Sequence, residues 1–207
     1  MKTFHNDRNW LSWIDELSDN RFVVIDDFLS DDLYQTIRQD FLSKLDNFEQ
    51  AGIGAMDQNI IQQNIRGDQT YWLDSRRDDH LSEWWSLVNE TIGVLNRYCF
   101  LSLSGFEFHL AHYPPGGHYD KHLDQFSNRD NRMISMVIYL NEGWENGDGG
   151  ELEIDLEGKI YLVEPIKKRC VLFKSAEVPH AVLEAHKSRY SLTGWLLYRP
   201  AALGKLL

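Results

Sequence analysis

Apolar positions over the first hundred residues recur at helical spacing, and from about residue 100 the period shortens to two. Trp10, Trp13, Ile14 and Leu17 form the apolar stripe of a first helix. The run "RFVVIDDF" (21–28) predicts a short strand. Ser30 is placed to N-cap a second helix, with Asp31 and Asp32 in its first turn and Leu33, Ile37, Phe41 and Leu45 on its apolar face. Leu81, Trp84, Trp85, Val88, Ile92 and Leu95 predict a third helix over 79–98. The polar, glycine-bearing "AGIGAMDQNIIQQNIRGDQTYWL" lies between the last two and ends in the strand-like "TYWL". It is too long for a simple connection, and such loops in compact domains are often lids.

The second half reads as short strands separated by turn residues: "FEFHLAHY", "RMISMVIYLN", "GELEIDL", "KIYLVEP", "RCVLFKS", "HAVLEAH" and "RYSLTGWLLY". "NGDGG" is a strong turn signal. Helices followed by a run of strands predict an α+β fold whose second half is a sandwich or barrel. No repeat or linker divides the chain. One domain over 1–207 is therefore expected, with 1–100 mainly helical support and 101–199 the β core.

Composition narrows the class of partner. With 207 residues, 43% hydrophobic and 13% aromatic, the chain can build a sizeable core. It has no apolar stretch of bilayer-spanning length, so no membrane partner is expected. The start, "MKTFHNDRNW", lacks the apolar core of a signal peptide, and a cytoplasmic protein is expected. Cys99 and Cys170 sit in apolar runs and read as buried free thiols. A net charge of −11 counts against a nucleic-acid substrate.

Candidate chemistry centres on "HYDKHLDQF", which holds His118-x-Asp120 and His122-x-Asp124. In extended backbone, residues i and i+2 share a face, so either pair can offer an imidazole and a carboxylate to one metal. A second histidine would complete the 2-His-1-carboxylate set of non-haem iron oxygenases. All four residues share one parity, so alternation leaves both pairs open. His180 and His186 both stand downstream as the possible third ligand. A further pair, His5-x-Asp7, falls in a terminus expected to fray. Arg189 is followed on its strand face by Ser191 and Thr193. An arginine and hydroxyls inside an apolar barrel call for a carboxylate to pair with, which points to an acidic small molecule.

Read together, "HYPPG", "YDKHLD", "VIYLNEGW", "GGELEI", "PHAV" and "RYSLTGW" resemble the ordered motifs of Fe(II)- and 2-oxoglutarate-dependent dioxygenases. With "NIRGDQTYWL" ahead of them, the chain is similar to prolyl 4-hydroxylases of the hypoxia-sensing type and their bacterial relatives over about 64–199. The resemblance implies a double-stranded β-helix, or jelly roll, with supporting N-terminal helices. It implies His122, Asp124 and His180 as iron ligands, because Tyr119 stands three residues before His122 as the family tyrosine does. It implies that Arg189 binds the distal carboxylate of 2-oxoglutarate, that Thr193 assists, and that Tyr139 and Tyr113 line the cosubstrate pocket. The Tyr-Pro to His-x-Asp gap is one residue shorter here, which leaves Tyr113 the less secure of the two. Residues 51–70 would form a substrate loop carrying Arg66 and Asp68. Arg132 would stand at the substrate mouth, placed to pair with the loop aspartate, with Trp195 nearby.

The activity implied is C4 hydroxylation of a prolyl residue in an intracellular, translation-related protein, with Fe(II), 2-oxoglutarate, O2 and ascorbate as reductant. Nucleic-acid dealkylating relatives look for a second arginine six residues after the cosubstrate arginine, where this chain has Trp195. Two alternatives are a metal-binding module without turnover and an oxygenase acting on a non-prolyl substrate.

Overall fold

A computed structural model describes residues 3–52, 65–125 and 130–198. Among these, three helices precede most of the strands: α1 (Asp7–Asn20), α2 (Asp31–Ser43) and α3 (Ser82–Cys99). Asn6 caps α1 by accepting from the Asn9 amide at 2.9 Å, and Ser30 caps α2 by accepting from Leu33 at 3.3 Å. The predicted stripes are buried: Ile14 and Leu17 on α1, Leu33, Ile37 and Phe41 on α2, Trp84, Val88 and Leu95 on α3.

The strands are β1 (Phe22–Ile25), β2 (Glu49–Gln50), β3 (Gln69–Trp72), β4 (Gly105–Tyr113), β5 (Tyr119–His122), β6 (Arg132–Tyr139), β7 (Leu152–Leu156), β8 (Lys159–Val163), β9 (Cys170–Lys174), β10 (His180–Val182) and β11 (Arg189–Leu197). They make two antiparallel sheets, a larger one ordered β1-β9-β6-β11-β4-β3-β2 and a smaller one ordered β5-β10-β7-β8. Alternation divides each strand between two cores. On the larger sheet, Phe108, Leu110, Ile134, Met136, Ile138, Cys170, Leu172, Leu192 and Leu196 face the helices. Ala111, Tyr113, Val137, Tyr139, Val171 and Phe173 face inward, where they meet Leu152, Ile154 and Val182 of the smaller sheet. Burying each of the Leu, Ile, Val, Met and Phe side chains among them stabilises the fold by about 1.5–3 kcal/mol. Gly194 is fixed by this packing: a Cβ there would lie 2.3 Å from the Phe108 ring.

Several expectations change. "HAVLEAH" is not one strand, because after Val182 the chain turns so that Glu184 accepts from the Gly150 amide and Ala185 bridges Gly149. The terminus at His5 is not frayed. Glu90 accepts from the amides of Phe4 and His5 and from Trp10 Nε1, and the His5 ring packs on Trp10, Trp13 and Phe28. Of the 51–70 loop, 53–64 lie outside the described residues. Cys99 and Cys170 are free thiols; Cys170 is buried as expected, whereas Cys99, at the end of α3, is only partly buried. No described helix is long and apolar enough to cross a membrane.

Asp78 ties α3 to the rest of the chain. It is buried and accepts from Lys44 at 3.0 Å, from Arg77 at 2.9 Å and from the Asp74 amide at 2.8 Å. Burial alone would push its carboxyl up, but Arg77, the Asp74 amide and Lys44 together hold it down to about 2, from an ordinary 3.8. A folded value below the unfolded one adds stability above about pH 4 and loses it as the pH falls toward 2. Asp78→Asn is therefore expected to cost about 2 kcal/mol at neutral pH. In urea melts, the gap from wild type should narrow between pH 4 and pH 2; a gap independent of pH would refute the ion-pair account.

Candidate active site

The space between the sheets is a cavity of about 520 Å³. Its metal-binding candidates come from the smaller sheet and the segment just after β5. His122 ends β5, His180 begins β10, and the two are cross-strand partners. Asp124 follows on the segment after β5. One ligand atom from each of the three lies within 4.8 Å of the others. His122 Nε2 is 3.6 Å from Asp124 Oδ1, and His180 Nε2 is 3.5 Å from Asp124 Oδ2.

Both histidines are oriented by their other nitrogen. His122 Nδ1 donates to the Asp120 carbonyl at 2.7 Å, and His180 Nδ1 donates to the Val178 carbonyl at 3.0 Å. Each imidazole thus presents its bare Nε2 to the cavity, the tautomer a metal requires. Burial favours the neutral form of His180 and lowers its pKa to about 4. Asp124 is buried as well, which alone would raise its carboxyl, yet His180, His122 and Ser135 hold it well below the carboxylate range. Two imidazoles, each oriented through Nδ1, and a buried carboxylate around one point are a donor set that fits a divalent iron.

Ser135 of β6 fixes the carboxylate. Its hydroxyl donates to Asp124 Oδ2 at 2.6 Å and shares a 2.8 Å hydrogen bond with Ser175. Ser135→Ala is expected to weaken Fe(II) affinity about 10- to 100-fold, read by anaerobic metal titration, while Ser135→Thr stays near wild type. Equal affinity in the alanine variant would exclude this support role.

A bulge decides between the two His-x-Asp pairs. Val182 pairs with Tyr119 while His180 pairs with His122, so β5 carries one residue more than β10 over that span. His122 and Tyr119 therefore both reach the cavity, and their rings stack 3.7 Å apart. His118 and Asp120 lie outside, with Asp120 exposed. His186 is exposed too, with Nδ1 on the Gly147 carbonyl at 2.7 Å.

Arg189 opens β11 and is 3% exposed. Its Nε donates to the Gly150 carbonyl at 2.7 Å and Nη1 to Ser191 Oγ at 3.3 Å, which in turn lies 3.1 Å from Thr193 Oγ1. The guanidinium sits over the rings of Tyr113 and Tyr139 at 4.8 and 5.1 Å. Among the described residues no carboxylate pairs with it, and the buried Tyr139 hydroxyl lies beside it. A buried arginine ringed by hydroxyls and left without an anion fits the carboxylate of a small molecule. Gly150, at φ +75, makes this possible, because a Cβ there would lie 2.8 Å from Arg189 Cδ.

The loop residues stand on the other side of the metal bracket. Arg66 grips the fully buried Asp68 through Nε at 2.6 Å and Nη2 at 2.9 Å, and covers the Tyr119 ring at 4.6 Å. Arg132 does not pair with Asp68 as expected; it binds Glu107 at 2.6 Å. Glu107 and Arg132 flank Trp195 from β4 and β6, and the guanidinium closes over the indole at 3.4 Å. Asp68, two residues from Arg66, is already satisfied. Sequence reasoning missed two wall residues, Trp72 and His109, and also Ser135, which holds Asp124. The parity of "FEFHLAHY" puts His109 on the face of Tyr113 and could have revealed it. His109 is 2% exposed and makes no hydrogen bond at Nδ1. Burial, then the charges of Arg66 and Arg132, lowers its pKa to about 3, so it is neutral.

A fold of facing antiparallel sheets, holding a two-histidine, one-carboxylate bracket and a buried arginine, defines a class of iron- and oxyacid-binding oxygenases. Residues 108–197 match the model of the 2OG-Fe(II) oxygenase superfamily. A prolyl-4-hydroxylase from Pseudomonas putida is 35% identical, with a TM-score of 0.83 over 92% of this chain and 99% of that one. A Trichoplax adhaerens prolyl hydroxylase, solved with a peptide of the hypoxia-inducible factor oxygen degradation domain, is 30% identical, with a TM-score of 0.81 over 92% and 89%. Egl nine homolog 1 of Mus musculus is 30% identical over 83% of this chain and 45% of its own length. The chain thus spans less than half of that curated relative. It belongs to the 2OG-Fe(II) oxygenase superfamily, with the prolyl hydroxylases of the Egl nine type and their bacterial relatives. The fold is the double-stranded β-helix of that class.

Proposed function

We propose that the protein is an Fe(II)- and 2-oxoglutarate-dependent prolyl 4-hydroxylase acting on a proline within a protein or peptide. His122, Asp124 and His180 hold the metal, and Arg189, with Thr193, Tyr139 and Tyr113 around it, holds the cosubstrate. The observation that carries this reading is the buried Arg189, without a protein carboxylate, in the same cavity as the three-residue bracket. Likeness to prolyl hydroxylases over nearly the whole chain supports the choice of substrate.

Bound Fe(II) with O2 and 2-oxoglutarate supplies the oxidising power: one oxygen atom enters the prolyl C–H as hydroxyl, the other enters succinate, and CO2 leaves. The chain's own residues do the rest. Val137, Phe173 and Leu152 line the cavity and, with the Tyr113 and Tyr139 rings against Arg189, keep it dry, which strengthens the Arg189–carboxylate pairing. Ser135 keeps Asp124 from turning, and Arg66, clamped to Asp68, backs the Tyr119 ring against His122. On the open side, Arg132 and Trp195 form the mouth that receives the target proline, with the Arg66–Asp68 pair at the loop base. In this reading the target is an intracellular protein, with translation-related proteins among the candidate classes, and ascorbate is the reductant that keeps the metal reduced.

Two measurements test this together. Anaerobic Fe(II) and 2-oxoglutarate should give a weak visible charge-transfer band, and aerobic incubation with proline-containing peptides should give succinate and one added oxygen in the peptide. A band without peptide oxidation would move the substrate away from proline. No band and no 2-oxoglutarate binding would leave a binding module.

A further inference from the structure

Two residues that line the cavity, on neighbouring strands, each carry a buried ring nitrogen without a partner. His109 Nδ1 and Trp195 Nε1 are both buried and unbonded. Their rings stack with centroids 5.5 Å apart and planes at 29°. Trp72, on β3 directly across from His109, covers the imidazole at 4.9 Å and is 47% exposed. All three rings line the cavity, and Thr193 is the cross-strand neighbour of His109 on β11. Neither the metal bracket nor the Arg189 pocket uses these two nitrogens.

Buried polar atoms are seldom left unpaired, and when they are a ligand often supplies the partner. The chemistry of the pair says which one. An indole offers a single donor, and a neutral imidazole offers one donor and one acceptor. The two cations beside the pair are committed elsewhere, Arg132 to Glu107 and Arg66 to Asp68. The wall therefore suits a neutral group with a donor and an acceptor side by side, and the face of Trp72 suits something flat.

We propose that His109 and Trp195 form a subsite that reads one amide of the peptide beside the target proline. The indole N–H donates to the amide oxygen, the imidazole accepts from the amide N–H, and Trp72 covers the amide plane. This rests on the prolyl-hydroxylase reading and adds a specificity element to it. The amide is either a main-chain unit flanking the proline or the carboxamide of an Asn or Gln side chain.

The test uses a degenerate pool of short capped peptides with a central proline, offered to the Fe(II)-loaded wild type, His109→Phe and His109→Gln. Phenylalanine keeps the stacking and removes both nitrogens, whereas glutamine keeps a donor and an acceptor. With the best pool peptide, His109→Phe should raise KM about 10- to 100-fold with a smaller change in kcat, and His109→Gln should stay within about threefold. If the amide is main-chain, replacing one flanking amide by an ester weakens that peptide for wild type and not for His109→Phe. If it is a side chain, wild-type products are enriched in Asn or Gln at one position and the enrichment vanishes in His109→Phe. The wild-type arm of the ester series, in which one flanking amide must weaken the peptide when replaced, does not depend on the stability of a variant. The subsite is overturned if His109→Phe matches wild type in KM and product spectrum, or if His109→Gln loses as much as His109→Phe. Wild type that oxidises no member of the pool overturns the prolyl reading itself, and the subsite with it.

Discussion

Arg189→Leu loses 2-oxoglutarate binding and keeps Fe(II) binding. The guanidinium is buried, its Nε is taken by the Gly150 carbonyl, and no described carboxylate neutralises it, so its remaining donors await an anion. Removing one partner of a desolvated charge pair costs about 3–5 kcal/mol, equivalent to a hundred- to a few-thousandfold in affinity. Arg189→Lys keeps the charge and loses the planar fork, and should recover only part of that. Calorimetric titration of 2-oxoglutarate into the Fe(II)-loaded proteins measures both. The apo variant should melt within about 1 kcal/mol of wild type, because the lost Gly150 hydrogen bond is offset by relief of a buried charge. A variant that binds 2-oxoglutarate normally would sink the assignment of the pocket.

His180→Ala has the other large effect, on the metal. Its imidazole lies over Phe173 with centroids 4.6 Å apart and presents only Nε2 to Asp124 and the cavity. Its loss leaves a two-ligand site, and a Lewis-acid centre contributes several kcal/mol to such reactions, so turnover should fall by at least about a thousandfold. The charge-transfer band should vanish even at saturating 2-oxoglutarate. His186→Ala is the matched control: that ring sits outside on the Gly147 carbonyl and should change neither band nor rate. Equal losses in both variants would mean the wrong histidine has been placed in the site.

The helical half of the fold was legible because burial there follows simple periodicity. Trp10, Ile14 and Leu17, or Leu33, Ile37 and Phe41, sit where a 3.6-residue repeat puts them, and Ser30 caps as its side chain dictates. Most of the longer strands were legible by their two-residue period, with Leu192 and Leu196 facing the helices while Arg189, Ser191 and Thr193 face inward, but β5, which carries His122, was not among the predicted runs. What escaped depends on contacts distant in sequence. The β5 bulge turns parity against itself, so alternation could not separate His122 from His118, and only the resemblance did. The Arg132–Glu107 pair is a choice between two acids from elements distant in sequence, formed where Trp195 pairs with Glu107 across the sheet. Ser135 reads as an ordinary strand residue until Asp124 is seen beneath it. His109 sits among apolar neighbours, and its missing partner shows only in three dimensions.

The cross-strand pairing of His122 with His180 also bears on how far chain length can vary around the site. β10 is three residues long, with His180 at its first position and in register with Ile154 of β7 as well as His122 of β5. Inserting or deleting a single residue between Val178 and His180 would turn the imidazole to the opposite face, with every side chain intact. The turn from Glu142 to Gly147, by contrast, could lengthen without moving a ligand. Insertions and deletions in functional copies of this chain should therefore be absent from 178–182 and free to accumulate at 142–147.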